Sequence, residues 1–158
     1  MVTATNKEMK THDSITFGKY LVSVAISKQK PLNMTKLQKL IFIIYGFFLT
    51  EQQHRIINEY PQAWPYGPVF PKIHKGVDYT NVVDLNNSSF DKIKEEDGLP
   101  ELVERVVETY TKYTATQLSN WSHMQGSPWH RTTKLAGFKW STEIPDNYII
   151  EYFSTKSL

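Results

Sequence analysis

The chain has 158 residues, no cysteine, and 18 Lys plus Arg residues against 16 Asp plus Glu residues, for a formal net charge of +2. This length fits one domain with its own hydrophobic core, and the lack of cysteine excludes disulfides, thiolate catalysis and the common zinc-ribbon sites. The nearly balanced charge gives no general field of the kind that marks nucleic-acid or membrane-surface proteins.

The two ends of the chain are predicted to lie outside the folded domain. Residues 1–13 are mostly polar and show no periodicity, which predicts a flexible N-terminal arm. Residues 155–158 are predicted to form a short C-terminal tail, so the domain spans residues 14–154. Residues 1–11 also lack the apolar stretch of a secretory signal, so we expect a cytoplasmic protein.

The first predicted helix is amphipathic and runs from Ile15 to about Lys28. Asp13, Ser14 and Thr16 are all candidates for its N-terminal cap. Phe17, Tyr20, Leu21, Val24 and Ala25 recur on one helical face, which we expect to face the core.

A second helix, from Met34 to Thr50, is predicted to be the centre of the fold because its second half is apolar on every side. Its uninterrupted apolar run, Leu40 to Leu49, covers only about half of the roughly 20 residues that a bilayer requires, which favours a buried helix over a membrane span. A buried β-strand is the other alternative, and the length of the segment favours helix. Gly46 in the middle is expected to let another element approach closely.

The first turn of this central helix is predicted from its polar residues. Thr35 and Gln38 fit a capping box, with Asn33 as the competing cap. Lys36 and Lys39 are expected to keep the first turn exposed to water.

A small β-hairpin is predicted to follow, from Arg55–Asn58 paired with Glu59–Trp64. Four prolines between Pro61 and Pro71 then predict a stiff, irregular segment over Ala63–Pro71. A short helix within Lys72–Tyr79 and a polar loop over Asn81–Gly98 come next.

Four more helices are predicted in the C-terminal half, so the fold class is mainly α with one small hairpin. Helix-start signals and apolar spacing support each of them. Their predicted starts are Pro100, the capping box of Thr114 and Gln117, the pair Ser127 and Pro128, and Pro145.

Four segments stand out as motifs: LQKLIFIIYGFF at Leu37–Phe48, AWPYGPVFPKIH at Ala63–His74, QLSNWSHMQGSPW at Gln117–Trp129, and IPDNYIIEYF at Ile144–Phe153. Together, and in this order, they resemble the motifs of the Panacea domain family, which includes SocA-like antitoxins and phage-associated GepA-like proteins. The sequence departs from the family at Ile41 and Phe42, where a leucine-tyrosine pair is usual, and at Ser122, where threonine is usual.

The resemblance implies an antitoxin of a bacterial or phage toxin–antitoxin system that neutralises a cognate toxin by direct binding, with no enzymatic activity, metal or cofactor. One relative is a proteolytic adaptor, so a protease unfoldase is an alternative partner, and formation of a homo-oligomer stays open. Many relatives carry a separate DNA-binding module for which this chain has no room, so we expect no strong DNA binding by this chain alone.

Candidate partner-binding residues come from the aromatic and basic residues of the second and third motifs. Aromatic side chains on a rigid loop are typical of binding hot spots, but for Trp64 and Tyr66 packing in the protein's own core is the favoured interpretation, and both hold if one ring faces inward and the other outward. The basic residues would contact an acidic toxin surface. The set is Trp64, Tyr66, Phe70, Trp129, Arg131 and Lys134.

Other residues of the same motifs are assigned structural roles, namely Gly67, Pro68, His123 and Pro128. His123 has serine hydroxyls nearby in sequence, which suggests a nucleophilic enzyme as an alternative, but no acid is placed to orient it. We therefore expect its imidazole to hydrogen-bond a backbone carbonyl. The histidines show no spacing typical of metal ligands.

The stretch His130–Trp140 interleaves three cations with Phe138 and Trp140. Such a composition is typical of surfaces that bind single-stranded nucleic acid. Because the stretch is short and the charge elsewhere is balanced, a solvated basic surface is the favoured interpretation.

Overall fold

The computed structural model describes residues 11–158, in which α-helices pack around one central helix and one two-stranded sheet lies at the side. The fold is therefore mainly α, as predicted. The elements are α1 (Ser14–Ser27), α2 (Met34–Gln52), β1 (Gln62–Trp64), β2 (Gly67–Val69), α3 (Pro71–Gly76), α4 (Asp91–Glu95), α5 (Leu99–Tyr110), α6 (Ala115–Ser122), α7 (Pro128–Thr133) and α8 (Asp146–Phe153).

Helix α2 is the centre of the molecule, as the sequence predicts. Every residue from Leu37 to Leu49 is buried, and α1, α3, α5, α6, α8 and β2 all pack against it. Its cap is Asn33, whose side chain accepts a hydrogen bond from the Lys36 N–H at 2.8 Å. The predicted capping box of Thr35 and Gln38 is wrong, because the Gln38 side chain points into the protein and bonds to another segment.

Gly46 allows α8 to approach α2 closely, which confirms the prediction made for it. A Cβ atom at this position would lie 2.2 Å from the ring of Phe153. The Phe153 ring packs edge-on against the rings of Phe42 and Phe47 at centroid distances of 5.9 and 5.0 Å. The contact therefore joins the last helix to the middle of the core.

The β-hairpin lies further along the chain than predicted. Strand β1 pairs with β2, and Ala63 lies opposite Pro68. The Ala63 N–H donates to the Thr142 carbonyl at 2.8 Å, and the Ala63 carbonyl accepts from the Ser141 N–H at 2.9 Å. The N–H and the carbonyl of Ala63 therefore both point away from β2. Pro68, which lies opposite Ala63, is not required to donate an N–H to β1, so a proline fits in β2.

Most helix starts agree with the predicted caps. Asp13 accepts from the Thr16 N–H at the start of α1, Thr114 and Gln117 form the capping box of α6, and Ser127 caps α7. These signals depend on neighbours in sequence, so they can be recognised without the fold.

The segment predicted as a polar loop, Asn81–Gly98, contains a 3-10 turn at Ser88–Phe90 followed by α4. Phe90 and Ile93 are fully buried in it, and the Phe90 ring packs edge-on against Tyr20 at 5.3 Å. Phe90 thus anchors this segment on α1, and Val83 and Leu85 also pack against the core.

Of the arm predicted over residues 1–13, residues 1–10 lie outside the described residues. His12 is packed on the fold: its N–H donates to the Ile56 carbonyl at 2.8 Å, and its Nε2 lies 2.9 Å from Glu96 Oε1. Among the helices of residues 11–158, none combines the length and the apolar character that crossing a bilayer requires.

Candidate functional site

The loop of the β-hairpin is held in place by side chains from three helices and from the segments that flank them. Between Trp64 and Phe70, five backbone carbonyls of the hairpin and the residue after it accept a hydrogen bond from a side chain. The pairs are Trp129 Nε1 to Trp64 O (2.7 Å), His123 Nε2 to Pro65 O (3.2 Å), Ser119 Oγ to Tyr66 O (3.1 Å), Lys39 Nζ to Pro68 O (3.2 Å) and Gln38 Nε2 to Phe70 O (3.2 Å). The first three sequence motifs therefore meet in one hydrogen-bonded unit.

Gln38 and Lys39 attach the end of the hairpin to the central helix. Gln38 also accepts from the Phe70 N–H at 2.7 Å, so its carboxamide satisfies both backbone groups of one residue. Lys39 is only 2% exposed, which corrects the prediction that it keeps the first turn of the helix in water. Burial lowers the pKa of its amine from 10.5 to about 8.

Gly67 is required by the close packing of the hairpin against α2 and α6. Its φ of +117° is a conformation that side chains with a Cβ rarely adopt. A Cβ here would lie 2.6 Å from Ser122 Oγ and 3.0 Å from Lys39 Nζ. Both the backbone conformation and the available space thus support the structural role expected for this residue.

His123 bonds to a backbone carbonyl, as expected, and the carbonyl belongs to Pro65 in the hairpin turn. Its ring packs edge-on against the Trp129 ring at a centroid distance of 4.4 Å. Burial is the main cause that lowers the pKa of His123, and the positive charge of Lys39 adds to it. A neutral imidazole that donates from Nε2 fits this arrangement.

The serine hydroxyls near His123 are also bonded to carbonyl oxygens. Ser119 Oγ donates to Tyr66 O, Ser122 Oγ to Ser119 O at 2.7 Å, and Ser127 Oγ to Ser122 O at 3.1 Å. The hydroxyls and the imidazole thus bond to main-chain carbonyls and not to one another. These hydrogen bonds hold the hairpin turn, α6 and the start of α7 together.

An aromatic surface lies over this hydrogen-bonded unit. Tyr66, in the hairpin turn, is 77% exposed, and Trp140 is 51% exposed. The Trp140 ring stacks on Trp129 at a centroid distance of 6.2 Å, and Trp129 in turn contacts His123. We call these four residues, Tyr66, His123, Trp129 and Trp140, the hairpin surface.

Two of the predicted contact aromatics lie elsewhere. Phe70 is fully buried, with its ring 5.3 Å from that of Tyr45, so it cannot contact a partner in this fold. Trp64 is half-buried, and its ring packs edge-on against His74 at 5.2 Å. Trp140 was not among the predicted contact residues, although the aromatic and basic sequence around it is a signal that marks it.

The two predicted basic contacts differ in their surroundings. Arg131 Nη1 lies 2.8 Å from Glu151 Oε1 of α8, and its guanidinium lies 3.9 Å from the centre of the Tyr148 ring. Arg131 is therefore engaged within the protein, whereas Lys134 is exposed. Pro68 and Pro128, which were assigned structural roles, are both buried.

The fourth motif is joined to the central helix by a hydrogen bond rather than to the hairpin surface. Tyr45 Oη donates to Asp146 Oδ1 at 2.8 Å. Burial raises the pKa of Asp146, and the bond from Tyr45 partly opposes that rise. In residues 11–158 no group of three or more histidine and acidic side chains is arranged to hold a metal ion.

The comparisons with known proteins cover this same region. The family model described as "Antitoxin SocA-like, Panacea domain" matches residues 37–130, which include every side chain that holds the hairpin carbonyls. Antitoxin SocA of Caulobacter vibrioides is 26% identical over 128 residues, covering 74% of this chain and 68% of that protein. No solved structure matches the chain significantly. The chain belongs to the family of SocA-like antitoxins that carry the Panacea domain.

Proposed function

We propose that this protein neutralises a cognate toxin by direct binding and that the hairpin surface makes the central contact. The observation that carries this proposal is the position of Tyr66. Its side chain is 77% exposed, while the carbonyls of Trp64, Pro65 and Tyr66 itself each accept a hydrogen bond from a side chain outside the hairpin. An exposed aromatic ring on a fixed backbone is the typical chemistry of a hot spot.

The fixed backbone matters because association costs conformational entropy. Ordering one mobile side chain at an interface costs about 0.5 to 1.5 kcal/mol, and ordering a flexible loop costs more. The hairpin backbone is ordered by bonds within the protein, so little of this cost remains to be met on binding. Burial of Tyr66 and Trp140 against a partner would then contribute to affinity with little loss of conformational entropy in the hairpin backbone.

The arrangement of polar groups supports binding rather than catalysis. The His123 imidazole bonds to Pro65 O and the Ser119 hydroxyl to Tyr66 O, so each serves the hairpin backbone. A nucleophilic mechanism needs a base bonded to the nucleophile and a third group that orients the base. The geometry around His123 favours a structural duty.

The test is co-expression of this chain with the product of the adjacent gene, measuring both growth and co-purification. We expect growth to be restored and a stable complex to be recovered. Restored growth accompanied by protease-dependent loss of the toxin would favour a proteolytic adaptor instead. No restored growth and no complex would contradict the proposal.

Tyr66→Ala and Tyr79→Ala make a matched pair for the same assay. Tyr79 is an exposed tyrosine in the segment after α3 and is not part of the hairpin. We expect Tyr66→Ala to impair rescue and complex recovery, and Tyr79→Ala to behave as wild type. If Tyr79→Ala impaired rescue and complex recovery and Tyr66→Ala did not, the contact would lie elsewhere on the protein.

A further inference from the structure

Acidic residues are absent from the two segments that build the hairpin surface. No Asp or Glu occurs in residues 60–77, which contain the hairpin and α3, or in residues 109–142, which contain α6, α7 and the loop to Trp140. By contrast, nine of the 16 acidic residues lie in residues 78–108. The small net charge thus conceals a strongly uneven distribution.

Two exposed lysines lie close to Trp140 in sequence. Lys134 follows α7 and Lys139 directly precedes Trp140, and both side chains are exposed. Arg131 contributes less, because the carboxylate of Glu151 lies 2.8 Å from its guanidinium. Lys134 and Lys139 are therefore the exposed cations nearest to Trp140 in sequence, and the same two acid-free segments also carry exposed Lys72, Lys75 and Lys112.

We propose that the hairpin surface binds an acidic patch on the toxin protein, with Lys134 and Lys139 contacting its carboxylates around the anchors Tyr66 and Trp140. This inference rests on the proposed function and specifies the partner surface. Charges at the rim of an aromatic contact steer association and exclude partners of the wrong sign. Neither segment contributes a carboxylate that would oppose an acidic partner, although exposed Glu143 follows the second segment and pairs with Gln62 of β1.

A protein partner fits this surface better than a nucleic acid does. Affinity for single strands grows with the number of phosphates neutralised, with a salt slope of about −0.7 per phosphate. Lys134 and Lys139 by themselves would release few counterions, so a nucleic acid held by these two lysines would bind weakly. An aromatic centre with a few charges at its edge is typical of protein interfaces.

The test compares two double variants with equal changes of charge. Lys134→Glu with Lys139→Glu reverses the two lysines proposed to contact the toxin's carboxylates, and Lys19→Glu with Lys92→Glu reverses two exposed lysines of α1 and α4. Affinity for the purified toxin is measured at about 50 mM and about 500 mM NaCl. We expect the first variant to bind at least about tenfold more weakly at low salt, with the difference shrinking at high salt, and the control to stay within about twofold of wild type.

Several results would overturn the inference. If Lys134→Glu/Lys139→Glu binds the toxin as wild type does while Tyr66→Ala loses binding, the acidic patch is wrong and the proposed function stands. If wild type binds a single-stranded oligothymidylate of about 20 nucleotides tightly at physiological salt and the lysine variant does not, the surface serves nucleic acid. If wild type neither rescues growth nor forms a complex, the proposed function itself fails, and this inference fails with it.

Discussion

The amine of Lys39 lies 3.2 Å from the carbonyl oxygen of Pro68, in the interior of the protein. The first residues of the central helix are thereby bonded to the second strand of the hairpin. Burying an ammonium group is costly unless it is well paired, so this contact fixes the position of the hairpin but lowers the free energy of unfolding. Because the cost applies to the charged amine, the free energy of unfolding should depend on pH.

Stability should rise with pH because of Lys39. Its folded pKa of about 8 lies below the ordinary value of 10.5, so the unfolded chain binds more protons between these values and the free energy of unfolding increases across that window. Below pH 8 both states are protonated, and the fold carries the full cost of the buried charge.

The test is the difference in the free energy of unfolding between wild type and Lys39→Met, because the contributions of other titrating groups cancel in this difference. From pH 7 to pH 10, denaturant titrations should show wild type gaining roughly 2 kcal/mol relative to the variant. A difference that does not change with pH would mean that the amine is solvated or keeps its ordinary pKa.

Gly67→Ala should disrupt the hairpin. The added Cβ would meet Ser122 Oγ and Lys39 Nζ, and the φ of +117° is strained for alanine. We expect the free energy of unfolding to fall by about 2 to 3 kcal/mol. Gly126→Ala is the matched control, because Gly126 also has a positive φ (+86°) but a Cβ added there would have no neighbouring atom within 4 Å. Its cost should be about 1 kcal/mol, and equal costs for the two variants would show that space at Gly67 does not matter.

Gly46→Ala should separate α8 from α2 and destabilise the protein by about 3 kcal/mol or more, because the new methyl group would overlap the Phe153 ring. Adding Phe153→Leu should recover part of this loss by making room. The double-mutant cycle is measured by thermal or chemical denaturation. Strictly additive effects would contradict direct contact between the two side chains.

Arg131 is predicted to stabilise the protein slightly and to leave toxin binding unchanged. It pairs with Glu151 and lies over the Tyr148 ring, and such partly exposed pairs contribute about 1 kcal/mol or less. Arg131→Ala and Glu151→Ala should therefore have similar small effects on unfolding. A tenfold loss of toxin affinity in Arg131→Ala alone would assign this arginine to the interface.

The elements with local signals were predictable from sequence. The capping box of Thr114 and Gln117 and the cap at Ser127 depend on residues within one turn, as does the cap at Asp13, which was one of three candidates for α1. The central helix was recognisable from its length and apolar content, and Gly46 from its place within it as a point of close approach. In each case the deciding contacts lie close in sequence or follow from a strong periodicity.

The hairpin was misplaced because distant partners decide its pairing. Ala63 bonds to Ser141 and Thr142, almost eighty residues away, and this leaves Pro68 free to lie in a strand. Lys39 was expected to keep the helix start exposed to water and Gln38 to form a capping box, yet both side chains point inward and bond to the carbonyls of Pro68 and Phe70. A single sequence carries no local mark of such long-range bonds.

The candidate site was predictable in composition but not in orientation. Tyr66 and Phe70 are both aromatic residues of the same motif, yet one is 77% exposed and the other is fully buried. Which ring faces outward depends on how the strand packs against Tyr45 and the central helix. Trp140 is assigned to the site because its ring stacks on Trp129, a contact that the fold shows and the sequence does not.

The most direct test of the central claim is the affinity of the purified toxin for Tyr66→Ala, measured by calorimetry beside wild type and Tyr79→Ala. Hot-spot aromatics contribute about 2 kcal/mol or more, so Tyr66→Ala should weaken binding by roughly 30-fold while its unfolding midpoint stays that of wild type. Tyr79→Ala should bind as wild type does. Unchanged affinity for Tyr66→Ala would contradict the proposal that the hairpin surface is the toxin-binding site.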